Sequence, residues 1–173
     1  MTIFIETQRL IINVPVLADI DNWYALYAES DMRDITREIV GEWLHHHIIE
    51  FKQYGFGMGS VCLKATNEFI GRAGLFHYYD TEGLQRDIEI GYVIHKHHWN
   101  KGYASELAVA LVDWGFRNLT ISRLIALTRR DNIRSQHVLE RAGMRYLKMT
   151  ESDGEDYFEY QILRSGWLKR DKP

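Results

Sequence analysis

The chain has 173 residues, 46% of them apolar and 13% aromatic, with a formal net charge of −3. That length suits one domain with a packed core, and a disordered chain would show fewer aromatics and a larger charge excess. The small negative charge gives no long-range pull toward nucleic acid or anionic lipid, and the lone cysteine, Cys62, excludes an internal disulfide and a cysteine cage for metal.

Residues 1–6 lack the charged start and long apolar stretch of a secretory leader. No apolar run approaches the roughly 20 residues that cross a bilayer, so a cytoplasmic protein is expected. The β-branched run at residues 9–14 reads as a first or edge strand ended by Pro15. From 17 to 28, Leu17, Ile20, Trp23, Tyr24 and Tyr27 share one helical face. A second helix is predicted at 36–54, with Ile39, Trp43, Ile48 and Phe51 inward and glycines 55, 57 and 59 ending it. Strands follow at 60–65, 69–79 and 87–95, with turn signals at 66–67 and 80–83. Leu107, Ala108, Leu111, Val112, Gly115, Phe116 and Leu119 then recur at helical spacing, predicting a helix over 103–118. The rest reads as a strand at 123–128, a helix at 132–142 stopped by Gly143, and strands at 145–150 and 157–163 around a turn at 151–154. With two prolines and no linker or repeat, one α+β domain spanning 1–173 is expected.

The most informative point is the junction at residues 94–106. A strand ends near His95 and a helix begins near Gly102. The first turn of a helix presents unpaired N–H groups and the positive end of the macrodipole, which suits phosphate. Lys96 and Lys101 add positive charge. From physics alone, an ordinary strand-to-helix corner explains the pattern equally well.

The segment Trp99-Asn100-Lys101-Gly102-Tyr103-Ala104-Ser105-Glu106 resembles the tryptophan–glycine–lysine–glycine–tyrosine–alanine–threonine–glutamate segment of GNAT acetyltransferases. It is most similar to the branch holding the RimJ/RimL ribosomal-protein N-terminal acetyltransferases. Asn100 stands where a glycine is usual. Further matches occur in the family's order: Thr7-Gln8-Arg9-Leu10, Glu89-Ile90-Gly91-Tyr92, Asp131-Asn132-Ile133-Arg134-Ser135, Leu139 to Met144, and the closing Leu163-Arg164-Ser165-Gly166-Trp167. The resemblance implies a GNAT fold, with a mixed, mostly antiparallel sheet splayed between its fourth and fifth main strands and flanked by helices. It implies acetyl-CoA as cosubstrate, no metal, an amine acceptor such as a protein N-terminus, and a monomer or homodimer.

By the same resemblance, backbone groups of Tyr92, Val93 and Ile94 would pair with the pantetheine. The amides of Asn100, Lys101, Gly102, Tyr103, Ala104 and Ser105 would hold the pyrophosphate, and Asn132 would reach the pantetheine from the other side. An amine must lose its proton before it attacks a thioester. An α-amino group has a reference pKa of about 7.7–8.0, against about 10.4 for lysine, so a carboxylate working through water suffices for an N-terminus. Glu89, on the strand beside the cleft, is the candidate base, with a solvent-facing strand carboxylate as the alternative. Many family members carry an acidic tyrosine seven residues after the helix asparagine, but Leu139 stands there. RimL-type enzymes carry a serine at the position of Ser135, which becomes the candidate acid. A second acidic position of some relatives is Leu127 here. The missing tyrosine leaves a non-catalytic acyl-CoA-binding module as an alternative, and a small-molecule amine remains a possible acceptor.

Other features point elsewhere. Gly55-Phe56-Gly57-Met58-Gly59 follows a helix and opens a strand, the reverse of a dinucleotide loop. Consecutive His45, His46 and His47 point about 100° apart on a helix and are not expected to converge on a metal. His95, His97 and His98 have a more plausible metal spacing but flank the phosphate turn. Arg129, Arg130 and Arg134 read as solvated surface or phosphate contacts. Trp23, Trp43, Phe51 and Tyr54 read as core or acceptor groove.

Overall fold

The β-branched and alternating runs form eight strands: β1 (Ile3–Glu6), β2 (Leu10–Asn13), β3 (Met58–Leu63), β4 (Phe69–Tyr79), β5 (Gln85–Ile94), β6 (Arg123–Arg129), β7 (Arg145–Ser152) and β8 (Glu155–Leu163). The helices are α1 (Ile20–Ala28), α2 (Arg37–Tyr54), α3 (Tyr103–Asn118), α4 (Ile133–Arg141) and the one-turn α5 (Arg164–Trp167). The structure, a computed structural model, describes residues 2–29, 34–79, 83–152 and 154–169. Of the predicted turns at 80–83 and 151–154, residues 80–82 and 153 lie outside the described residues.

The strands make one sheet in the order β1-β2-β3-β4-β5-β6-β8-β7. Every pair is antiparallel except β5 and β6. β1 was not expected from the sequence. Its short Ile3–Glu6 run gains a partner only by pairing with β2, where Ile5 faces Ile12, and the predicted first strand is therefore the second in the sheet.

Alternation along β4 sends Ala73 and Leu75 to one face of the sheet and Arg72 and Phe76 to the other. The first face packs with Leu107, Leu111 and Val112 of α3 and Leu139 of α4 in the larger core. The second carries Trp23 and Tyr27 of α1 with Val40 and Leu44 of α2 in a smaller one. Helix α3 buries Leu107, Ala108, Leu111, Val112, Gly115 and Phe116 as its periodicity predicts, while Leu119 lies just past its end and is half-buried. Helix α2 does not: its inward residues are Val40, Leu44, Glu50 and Phe51, whereas Ile39, Trp43 and Ile48 are only half-buried. The apolar residues of α2 cover a broad arc, and the sheet takes the stripe rotated by one residue. Leu17 likewise lies in a 3-10 turn ahead of α1 and is exposed. Gly55 ends α2 at φ +77°, the left-handed conformation that favours glycine.

The sheet opens in its middle. β5 pairs with β4 from Gln85 to Ile94 but with β6 only at Glu89 and Ile125. Beyond that pair the two strands diverge, and α3 and α4 border the opening.

Candidate active site

The opening is a cleft of about 690 Å³ between the end of β5, the start of α3 and one side of α4. Three helix starts show how it is built. Thr36 caps α2 by accepting from the Ile39 N–H (3.3 Å), and Asn132 caps α4 by accepting from the Ser135 N–H (3.1 Å). The residue in the same place on α3 is Gly102, and among the described residues no side chain caps that helix. Its first-turn N–H groups therefore face the cleft with the positive end of the helix behind them. Gly102 has φ +78° and Asn100 φ +61°. Asparagine tolerates that conformation better than other non-glycine residues, which explains why it can stand in for glycine there.

The turn is held from outside by the opening segment of the chain. Glu106, in the first turn of α3, accepts from Thr7 Oγ1 (2.6 Å), the Arg9 N–H (2.8 Å) and Arg9 Nε (2.7 Å). Arg9 Nη1 donates to the Lys101 carbonyl (2.9 Å), and its guanidinium lies 4.6 Å from the centre of the Tyr103 ring. Burial works against the Glu106 charge, but the bonds from Thr7 and Arg9 outweigh it and hold the carboxyl below the usual range.

Along β5 the backbone groups alternate between the two neighbouring strands. The His95 N–H bonds the Ile70 carbonyl across β4, and the Val93 carbonyl lies against Gly71 on the same side. Tyr92 and Ile94 therefore turn their backbone groups toward the opening, where the Ile94 carbonyl accepts from Trp99 Nε1 (2.7 Å). Val93 also borders the cleft, but its carbonyl faces β4 and is not placed to pair across the opening.

Side chains alternate as well, so Glu89 and Tyr92 point to opposite faces. Glu89 shares a face with Arg72 and stands at the fork, where its Oε1 accepts from the Leu127 N–H (3.3 Å). The carboxylate thus takes a β6 donor that a continued ladder would have used. Burial pushes the Glu89 carboxyl up to about 8; the Leu127 N–H and Arg72 oppose the rise and the buried Glu159 adds to it. On the other face, the Tyr92 hydroxyl and Ser135 Oγ share a hydrogen bond of 2.9 Å. Burial pushes the Tyr92 hydroxyl up to about 12, so it keeps its proton.

The acetyltransferase (GNAT) domain family model matches residues 9–145. The chain is 28% identical to the uncharacterized N-acetyltransferase YnaD of Bacillus subtilis, covering 94% of this chain and 98% of that protein. A GnaT-family acetyltransferase structure from Bordetella pertussis superposes with a TM-score of 0.80 at 24% identity, over 91% of this chain and 97% of that one. Two more distant structures share the fold. One is RimL, a ribosomal L7/L12 alpha-N-protein acetyltransferase in complex with coenzyme A (TM-score 0.75, 17% identity, 93% and 97% covered). The other is the spermidine/spermine N-acetyltransferase SpeG of Vibrio cholerae (TM-score 0.73, 18% identity, 94% and 98% covered).

The chain belongs to the GNAT acetyltransferase family.

It is an acetyl-CoA-dependent N-acetyltransferase with the mixed α+β fold of that family. Of the twelve residues singled out in this acetyltransferase's sequence, ten line the cleft: Tyr92, Val93, Ile94, Asn100, Gly102, Tyr103, Ala104, Ser105, Asn132 and Ser135. Lys101 does not; its carbonyl engages Arg9 and its Nζ lies 3.4 Å from His98 Nδ1. Glu89 does not either, because it faces the other side of the sheet.

Sequence reasoning undervalued the charged side of α4. Arg129, Arg134 and Arg141 all line the cleft of the acetyltransferase, and Arg134 lies 5.0 Å from the centre of the Trp99 ring. Arg134 and Arg141, seven residues apart on α4, share one helical face, and that spacing was the available signal. Trp23 and Phe51 are core residues, while Trp43 is half-buried and Tyr54 exposed.

The histidine run on α2 needs a correction. His46 and His47 do converge: His47 Nδ1 lies 2.7 Å from Glu50 Oε2 and His46 Nε2 3.8 Å from Glu50 Oε1. Rings 100° apart on a helix meet because Glu50, one turn on, lies between their directions and each ring uses a different nitrogen. Glu50 is buried, and His77 Nδ1 approaches it from β4 at 3.7 Å.

Proposed function

We propose that this acetyltransferase acetylates a protein or peptide N-terminal α-amine by direct attack within a ternary complex. The observation that carries the reading is Glu89, a carboxylate at the mouth of the fork with its pKa pushed up to about 8. A carboxyl raised by burial takes a proton more readily from an α-amine (reference pKa about 7.7–8.0) than from a lysine (about 10.4).

The residues present suit acetyl-CoA, which brings the activated acetyl thioester. The backbone of Tyr92 and the N–H of Ile94, on the strand edge facing the opening, suit the pantetheine amides; the Ile94 carbonyl is already taken by Trp99 Nε1. Asn132 spends its side-chain oxygen on the α4 cap, leaving its NH₂ group for the same arm. The uncapped amides from Asn100 to Ser105 suit the pyrophosphate, with Arg134 and Arg141 as further cationic partners. Glu89 takes the acceptor's proton directly or through one water. A backbone N–H at Tyr92 meets the charge that develops on the acetyl oxygen. As the C–N bond forms and the C–S bond breaks, Ser135 passes its hydroxyl proton to the departing sulfur and regains one from water, while Tyr92, hydrogen-bonded to it, holds the hydroxyl in place. Leu139 is buried in the core and supplies no acid, so this hydroxyl pair takes over the role.

Free-thiol release with a panel of amines tests the reading. We expect turnover with peptides bearing a free N-terminus and little with their N-acetylated, lysine-containing counterparts. Glu89→Gln should lower kcat by about 10²–10³-fold without weakening CoA binding, and Ser135→Ala by about tenfold. In the wild type, kcat should rise with pH to a plateau above about 8, as Glu89 loses its proton, and that limb should vanish in Glu89→Gln. Equal turnover of spermidine and the peptides would replace the acceptor class, and unchanged rates in both variants would remove the assigned roles. CoA binding with no turnover of any amine would make the chain a binding module.

A further inference from the structure

A second polar cluster lies outside the cleft, where the end of α1 meets the 3-10 turn that follows β5. Glu29 stands just past the last residue of α1, and its Oε1 lies 2.9 Å from His95 Nδ1. That nitrogen is buried, yet its geometry to Glu29 is not that of a hydrogen bond, and it has no hydrogen-bond partner among the described residues. The other Glu29 oxygen accepts from the Lys96 N–H (3.2 Å), which fixes the carboxylate. The His95 ring is held by the edge of Phe69, with centroids 5.8 Å apart, and its backbone N–H is tied to Ile70. His97, exposed on the same turn, brings its ring to 5.3 Å from that of His95. One ligand atom from each of Glu29, His95 and His97 lies within 4.8 Å of the others.

The geometry points to a binding site for one first-row transition-metal dication of the zinc class, held by Glu29, His95 and His97. Two imidazole nitrogens and one carboxylate oxygen suit such an ion better than calcium or magnesium, which prefer all-oxygen shells. Tetrahedral zinc bonds of about 2.0–2.2 Å place donors about 3.4 Å apart, and rotation of the exposed His97 ring by an ångström or so brings its nitrogen to that distance. Metal between them would replace the direct contact of His95 Nδ1 with Glu29, which lacks hydrogen-bond geometry. The Lys96 N–H supplies the outer-shell bond that orients a ligating carboxylate. A neighbouring set, Glu68, His97 and His98, shares His97. There, however, His98 Nε2 is already hydrogen-bonded to Glu68 Oε1 (3.1 Å) and His98 lines the cofactor cleft, so the ion belongs with Glu29. Occupancy would join the end of α1 to the segment that leads into the turn at 100–105, and so couple metal to the cofactor turn without placing metal in the chemistry.

Calorimetric titration of the chelator-treated full chain with ZnCl₂ tests this. One ion should bind per chain. His97→Ala and Glu29→Gln should each weaken binding at least tenfold while melting near the wild-type temperature without zinc, whereas Glu68→Gln and His46→Ala should bind as the wild type does. Co²⁺ in place of Zn²⁺ should give the visible absorption of a four-coordinate ion in the wild type and lose it in His97→Ala. Absence of zinc binding by the wild type would overturn the site. So would loss of binding in Glu68→Gln or His46→Ala with retention in Glu29→Gln.

Discussion

The two ends of α3 are finished in opposite ways. At its C-terminal end, Arg164 donates to the carbonyls of Ile121 (2.8 Å), Phe116 (2.7 Å) and Leu119 (2.6 Å), and Trp167 Nε1 bonds Asp113 Oδ1 (2.6 Å). At its N-terminal end, Gly102 offers no cap, and the acidic residue of the first turn, Glu106, is turned outward onto Thr7 and Arg9. One end of the helix is sealed by the chain itself and serves stability. The other is left open where the cleft lies, and its polar groups are reserved for a ligand. An unfilled helix start costs stability, and here α2 and α4 are capped while α3 is not.

Substitutions at the two ends should separate these roles. The largest effect is expected from Gly102→Val, which forces a β-branched residue into φ +78°. CoA affinity by calorimetry should fall at least 100-fold. Arg164→Ala should do the converse: three carbonyls lose a charged donor, which costs roughly 2–4 kcal/mol and lowers the melting temperature by about 5–10 °C, while CoA affinity stays within twofold. A large affinity loss in Arg164→Ala would break the distinction between the ends. Arg9→Ala should fall between them, weakening CoA about tenfold, because Arg9 grips both Glu106 and the Lys101 carbonyl.

The smallest effect asks whether the same trade of stability for function extends to the fork. Burial pushes the Glu89 carboxyl up to about 8 in the folded chain, from an ordinary 4.5 when unfolded. Between those values the unfolded state gives up its proton first, so stability falls as pH rises through that window. Glu89→Gln should remove this slope and melt above the wild type at pH 8, with no gain at pH 4. A variant that melts below the wild type at pH 8 would mean that the carboxylate holds the fork together.

Much of this was legible in the chain. The helical period marks α3, which repeats its signal many times, and the turn residues on either side bound β4 at 69–79. The turn at 100–105 was recognised from its residue types, and Asn100 fits because asparagine, like glycine, reaches positive φ. Short or ambiguous elements were less legible. β1 spans four residues, too few for a period to establish itself, and α2 has apolar residues around so much of its circumference that only packing chose the buried stripe.

What the sequence by itself determined was local: which segments could be helix or strand, and which glycine, asparagine and serine stood where a phosphate turn and a capped helix need them. Tertiary structure alone decided the pairings. It brought Arg9 to Glu106 across 97 positions and Glu89 to the Leu127 N–H across 38. It joined Tyr92 to Ser135 across 43 and Glu29 to His95 across the sheet. Residue type and period carry information over a turn or two of chain, whereas which donor meets which acceptor depends on how the strands are ordered and where the sheet parts. The sheet parts between β5 and β6, and that geometry gives the residues on either side of Glu89 and Tyr92 their separate roles.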